Sequence, residues 1–264
     1  GRGHAEEVIG GFCAQPGVRE RVVIATKLGL RWEGRRVWHD LSTGRMSGEF
    51  DDSRRRLRTD YIDLYQVHWP DPAAPIAETA DLMRRWYEAG AVRAVGVSNF
   101  SVEQIEEFSR WCPLHAVQLP YNLFSREIER ELLPFCRERG LTVLAYSPLA
   151  AGVLTGKFFD GTMPVPGDLN RKYSVDLQEP RLSANRAACD GLRAVAQEAG
   201  VSLAQLALAW IVSQPGLVAI AGARTRAQME ENAGAVEVCL TGQLRKAVAD
   251  ILTRRDECLR MNGF

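Results

Sequence analysis

Lys27 and His68 stand at the ends of two apolar, β-branched runs. Residues 22–24 lead into Ala25-Thr26-Lys27-Leu28-Gly29, and residues 61–67 lead into His68-Trp69-Pro70-Asp71. In parallel α/β proteins the active face lies at the carboxyl ends of the strands. An ammonium and an imidazole placed there could stabilise negative charge and move a proton. Each has a plainer reading as well. A strand-end lysine can snorkel to water, and a lone histidine can be a satisfied core residue. The two runs alone leave both readings open.

The elements that would position these groups follow from periodicity. Helical spacing covers 5–14, 47–57, 76–88, a stretch opened by Ser101 with Gln104 in capping-box register, 128–138, 227–233 and 243–259. Strand patterns cover 22–30, 60–69, 92–97, 115–119, 141–146 and 217–220. Strands alternating with helices imply right-handed βαβ units and a parallel sheet. The units between 91 and 146 recur every ~25 residues without a break, which favours a barrel over a doubly wound sheet. No strand is followed by the G-x-G-x-x-G turn of a dinucleotide-binding fold. A closed (β/α)8 barrel needs eight strands. The six found here predict a barrel whose first two strands are missing from this sequence.

Composition narrows the function classes. A length of 264 residues with 46% hydrophobic content suits a single domain over 1–264. The formal net charge is +0, so nothing electrostatic supports a nucleic-acid partner. Arg54-Arg55-Arg56 follows Asp51-Asp52 and reads as a solvated helix face. Cys13, Cys112, Cys136, Cys189, Cys239 and Cys258 form no C-x-x-C pair, and none is spaced with a histidine as a metal ligand. Free thiols in a reducing cytoplasm are expected, with no metal. No apolar run reaches the ~18 residues of a membrane span. The polar start, residues 1–7, reads as the middle of a fold rather than a signal peptide.

Two stretches depart from the repeat. Residues 150–184 carry Gly156, Gly161, Pro164, Pro166, Gly167 and Pro180 and read as a long loop from the carboxyl end of a strand. Residues 241–264 read as a terminal helix and tail.

The chain resembles the aldo-keto reductases, in the branch that includes potassium-channel β subunits. The resemblance rests on Gly1-x-Gly3-x-x-Glu6, Ala25-Thr26-Lys27, residues 58–65, Val67-His68-Trp69-Pro70-Asp71, Gly96-Val97-Ser98-Asn99-Phe100, Gln118 with Asn122, Tyr146-Ser147-Pro148-Leu149, and Gly222-Ala223-Arg224 with Glu231-Asn232, all in order. It implies reduction of aldehydes or ketones with NADPH, in which a Tyr donates the proton and Asp, Lys and His support it. Lys27 and His68 match the Lys and His. The Tyr and Asp would precede Gly1, so the expectation is a barrel lacking its proton donor.

The resemblance also implies a cofactor site. Ser98, Asn99 and Gln118 would hold the nicotinamide carboxamide, and Tyr146 would stack on the ring. Ser147, Leu149, Gly152 and Lys157 would contact the pyrophosphate. Gly222, Arg224, Gln228, Glu231 and Asn232 would surround the adenosine, with Arg224 on a 2′-phosphate. Residues 150–184 would then cover the cofactor. Trp32 and Trp69, with Trp38, are candidate walls for a small-molecule carbonyl substrate. The alternative within the same resemblance is a regulatory or scaffold protein that binds NADPH without turnover. Oligomeric state is unreadable from these features.

Overall fold

A computed structural model describes residues 2–34, 36–159 and 175–263. Gly1, and Gly161, Pro164, Pro166 and Gly167 of the expected cofactor-covering loop, lie outside the described residues. The backbone gathers into two compact units. The first holds residues 1–119 and 130–143, and the second holds 120–129 and 144–264.

The first unit begins with helix α1 (His4–Cys13), followed by strands β1 (Ala25–Leu28), β2 (Leu30–Glu33) and β3 (Arg36–His39). Then come α2 (Thr43–Leu57), β4 (Ile62–Val67), α3 (Ile76–Glu88), β5 (Val92–Ser98), α4 (Val102–Ser109) and β6 (Ala116–Pro120). Helix α5 (Leu132–Glu138) precedes β7 (Thr142–Tyr146), whose first two residues belong to this unit. Strands β1, β4, β5, β6 and the start of β7 stand in that order. The β1–β4, β4–β5 and β5–β6 pairs are parallel.

Strand β4 shows why a parallel sheet forms. Ile62, Leu64, Tyr65, Gln66 and Val67 are all buried, the mark of a strand covered on both faces. Phe50 of α2 stacks on Trp86 of α3 with centroids 4.4 Å apart, and Tyr65 packs against both rings. Burying each such aromatic side chain contributes roughly 1.5–3 kcal/mol.

One expected strand is two. The apolar run 22–30 reads as continuous, but Gly29 adopts φ +97° and ends β1 at Leu28. Leu30 opens an antiparallel hairpin, β2–β3, that periodicity did not reveal. A Cβ on Gly29 would also lie 2.5 Å from Leu41 Cδ2, so glycine alone fits the turn. The expected helix 128–138 likewise divides into a short 3₁₀ turn, Glu127–Glu129, and α5.

Among the described residues, the second unit holds the end of β7, neighbour of β8 (Leu217–Ile220), and the helices α6 (Arg181–Glu198), α7 (Leu203–Val212), α8 (Arg226–Ala233) and α9 (Gly242–Met261). Helices α6 and α7 went unread in the sequence. Helix α7 is apolar almost all round, which erases the helical stripe. Its core joins Leu192, Val195, Leu206, Ala207, Val248 and Leu252. No single helix among the described residues is long and apolar enough to cross a membrane.

Candidate active site

In the first unit, Lys27 lies on β1 and pairs in register with Gln66 of β4. The main-chain N–H of His68 donates to the carbonyl of Leu28 at 3.0 Å, which extends the ladder one residue past β4. Both side chains therefore emerge at the carboxyl ends of adjacent parallel strands and line one cleft. Burial pulls the Lys27 ammonium below its ordinary range. Burial, then the nearby charges of Lys27 and His39, lowers His68 to about 4. At neutral pH the imidazole is uncharged, one ring nitrogen donating and the other accepting.

Ser98, Asn99 and Gln118 tie the next strand ends together. The Ser98 hydroxyl donates to the Gln118 carbonyl at 3.0 Å. The Asn99 amide donates to the His68 carbonyl and to Ser98 Oγ, each at 3.0 Å, from a left-handed backbone at φ 62°. Gln118 Nε2 donates to Gln66 Oε1 at 3.2 Å. The sequence reading missed Gln66, because polar residues within β-branched runs carry no periodic signal. It is fully buried, and its Nε2 has no partner among the described residues. Buried donors of this kind call for an acceptor.

Trp32 and Trp69 are 40% and 38% exposed, large aromatic faces left open near the strand ends. Trp69 stacks on His39, with ring centroids 5.9 Å apart and planes 7° from parallel. His39 was also missed, since the hairpin that carries it was.

In the second unit, Ser147, Leu149, Gly152, Lys157, Gly222, Arg224, Gln228, Glu231 and Asn232 line one cavity of about 630 Å³. Tyr146, at the end of β7, is not among its walls. Burial raises the Tyr146 phenol, and its carbonyl accepts from the Tyr121 N–H at 3.3 Å. Asn122 holds the neighbouring turn by donating to the Ser147 carbonyl at 3.0 Å.

The cavity suits anionic groups. Ser147, Ala150, Ala151 and Gly152 all have positive φ, of 53°, 47°, 53° and 93°. Left-handed alanines and serines cost on the order of 1 kcal/mol each and cluster at ligand clamps, where successive N–H groups form anion-binding hollows. Lys157 and Arg224 add cations. The starts of α7 and α8 add favourable helix ends. Ser202, Leu203 and Ala204 at the start of α7 also line the cavity. Ser202 and Gln205 form a capping box there, a spacing visible in the sequence. Gln228 Oε1 accepts from the Arg224 N–H at 2.8 Å, and Thr225 caps the Gln228 N–H at 3.2 Å. Strained N–H hollows, two cations and a carboxylate from Glu231 fit a dinucleotide's phosphates and adenosine.

Residues 1–252 match the Aldo/keto reductase family. The chain belongs to the aldo/keto reductase family. This aldo/keto reductase chain is 43% identical over 232 residues to the aldo-keto reductase YhdN of Bacillus subtilis, covering 87% of this chain and 70% of that protein. Its fold superposes on the glycerol dehydrogenase of Gluconobacter oxydans with a TM-score of 0.86 and 38% identity, covering 96% and 78% of the two chains. An aldo/keto reductase from Klebsiella pneumoniae, solved with NADP and acetate, matches with a TM-score of 0.74 and 30% identity over 95% and 76%. Such relatives imply a (β/α)8 barrel for the family, to which the parallel strands of this chain correspond.

Proposed function

We propose that this aldo/keto reductase reduces aldehydes or ketones to alcohols with NADPH. The observation that carries the reading is the pairing of a half-buried lysine with a neutral, half-buried histidine on adjacent strand ends. NADPH, when bound, supplies the hydride. Lys27 provides the positive charge toward which a carbonyl oxygen gains electron density. His68, uncharged, orients that oxygen by hydrogen bonding without repelling the ammonium beside it.

Ser98, Asn99 and Gln118 present the polar strand-end groups that would hold a carboxamide. The unit-two cavity would take the phosphates, with Ser147, Leu149, Gly152 and Lys157 on the pyrophosphate. Arg224 and Gln228 would meet a 2′-phosphate, and Glu231 and Asn232 the adenine. Tyr146 would lie against the nicotinamide. Trp32 and Trp69 would wall the carbonyl substrate.

No tyrosine is among the described residues lining the Lys27–His68 cleft. The four buried cysteines and two others are free thiols, which supports a cytoplasmic setting. Titration with NADPH and NADH, followed by aldehyde-dependent loss of the reduced nicotinamide absorbance, tests the proposal. Tight NADPH binding without any aldehyde response would favour a regulatory protein instead.

A further inference from the structure

Gln66 is an amide in a strand of apolar and aromatic side chains. Ile62, Leu64, Tyr65 and Val67 of β4 are buried, and Gln66 is buried as fully as any of them. A leucine would fill similar space with no amide to satisfy. Gly96, its register partner on β5, makes room for it: a Cβ there would meet Gln66 Cγ at 2.8 Å. Register partners in a parallel sheet share a face, as do residues two apart along a strand. Lys27, Gln66, Ser98 and Gln118 therefore stand on one face of the sheet, within the first unit. Their hydrogen bonds run in a definite sense. Asn99 donates to Ser98 Oγ, the Ser98 hydroxyl to the Gln118 carbonyl, and Gln118 Nε2 to Gln66 Oε1. Among the described residues, no group donates to Gln118 Oε1.

We propose that Gln66 is a positioning residue for the nicotinamide ring: by accepting from Gln118 Nε2, it commits Gln118 to offer Oε1 to the carboxamide NH2 of the cofactor. The proposal rests on the NADPH reading of Ser98, Asn99 and Gln118. A glutamine amide free to turn presents either a donor or an acceptor. Held by Gln66, Gln118 presents the acceptor. The carboxamide then binds in one orientation, with its NH2 toward Gln118, and the ring that carries it is fixed with it. Gln66 acts through Gln118 and touches no ligand itself. Neither amide titrates, so the effect is independent of pH.

The test pairs NADPH with its 3-acetylpyridine analogue, in which a methyl group replaces the carboxamide NH2 and the carbonyl remains. Calorimetry measures Kd for both on wild type and two variants. Gln66→Met removes hydrogen bonding, and Gln66→Glu keeps an oxygen for Gln118 Nε2. Wild type should bind NADPH about tenfold more tightly than the analogue, the worth of one hydrogen bond. Gln66→Glu should keep that preference. Gln66→Met should lose it, by weakening NADPH and leaving the analogue unchanged. Equal affinities in wild type, a preference kept by Gln66→Met, or one lost in Gln66→Glu overturns the positioning role. So does equal weakening of both cofactors in Gln66→Met, which marks a packing role only. Failure of wild type to bind either cofactor overturns the NADPH reading itself, and this proposal with it.

Discussion

The Lys27 ammonium lies close enough to the His68 imidazole to help keep it uncharged. The parallel register produces this: Lys27 faces Gln66, and His68 is two residues beyond Gln66 on the neighbouring strand. A cation and a neutral hydrogen-bonding ring then share one cleft. Carbonyl reduction needs that division, because charge develops on a single oxygen.

His68 should resist protonation well below neutral pH. Its value falls from 6.5 to about 4, with burial the larger cause and Lys27 the second. Below 6.5 the unfolded chain takes up a proton that the folded chain refuses until about 4. Stability from this group is therefore full at neutral pH and drains as pH falls between those values. Histidine NMR should show His68 titrating near the lower one. Lys27→Met should raise it while leaving it below the ordinary value, since burial remains. A His68 that titrates normally in wild type would refute the cleft's electrostatics.

Arg224 should discriminate between cofactors. Arg224→Ala should weaken NADPH by about 1–3 kcal/mol, the range for a hydrogen bond to a charged group, and leave NADH nearly unchanged. Calorimetric titration of both cofactors reads this. Equal losses would remove Arg224 from the 2′-phosphate.

Gly96 leaves no room for a side chain. A Cβ there would lie 2.8 Å from Gln66 Cγ and 3.2 Å from the Ala116 carbonyl oxygen. Gly96→Ala should push Gln66 off its hydrogen bond with Gln118 and cost about 1–3 kcal/mol by overpacking. Urea denaturation measures the loss, and an unchanged midpoint would contradict it.

Arg255 is a buried charge in the second unit, at 6% exposure. Its Nε donates to Asn185 Oδ1 at 2.6 Å, NH1 donates to Asp256 at 2.9 Å, and the guanidinium covers the Phe124 ring at 4.4 Å. Arg255→Ala should leave the buried Asn185 Oδ1 without its donor and lower stability by about 2–3 kcal/mol. A thermal melt within error of wild type would show that water replaces the guanidinium without penalty.

The strand ends that bring these polar groups together were legible because each joins a β-branched run to one polar residue, as at Lys27, His68 and Ser98–Asn99. The parallel alternation was legible for the same reason. The hairpin was hidden because Leu30, Trp32, Val37 and Trp38 read as a continuation of strand and loop, and only the φ of Gly29 separates them. Gln66 was hidden because burial of a polar side chain is decided by its neighbours across the sheet, not by its own segment. Helix α7 was hidden by being apolar on every side. The second-unit cavity residues were named through family resemblance, since left-handed Ala150 and Ala151 leave no trace in residue type.

The most direct measurement is aldehyde-dependent NADPH oxidation by the protein that carries these 264 residues, beside its Lys27→Met variant, with the alcohol product quantified. The account predicts one alcohol formed per NADPH oxidised, and a loss of roughly 10²–10⁴-fold without the ammonium that activates the proton donor. NADPH bound without turnover, or turnover indifferent to Lys27→Met, would contradict it.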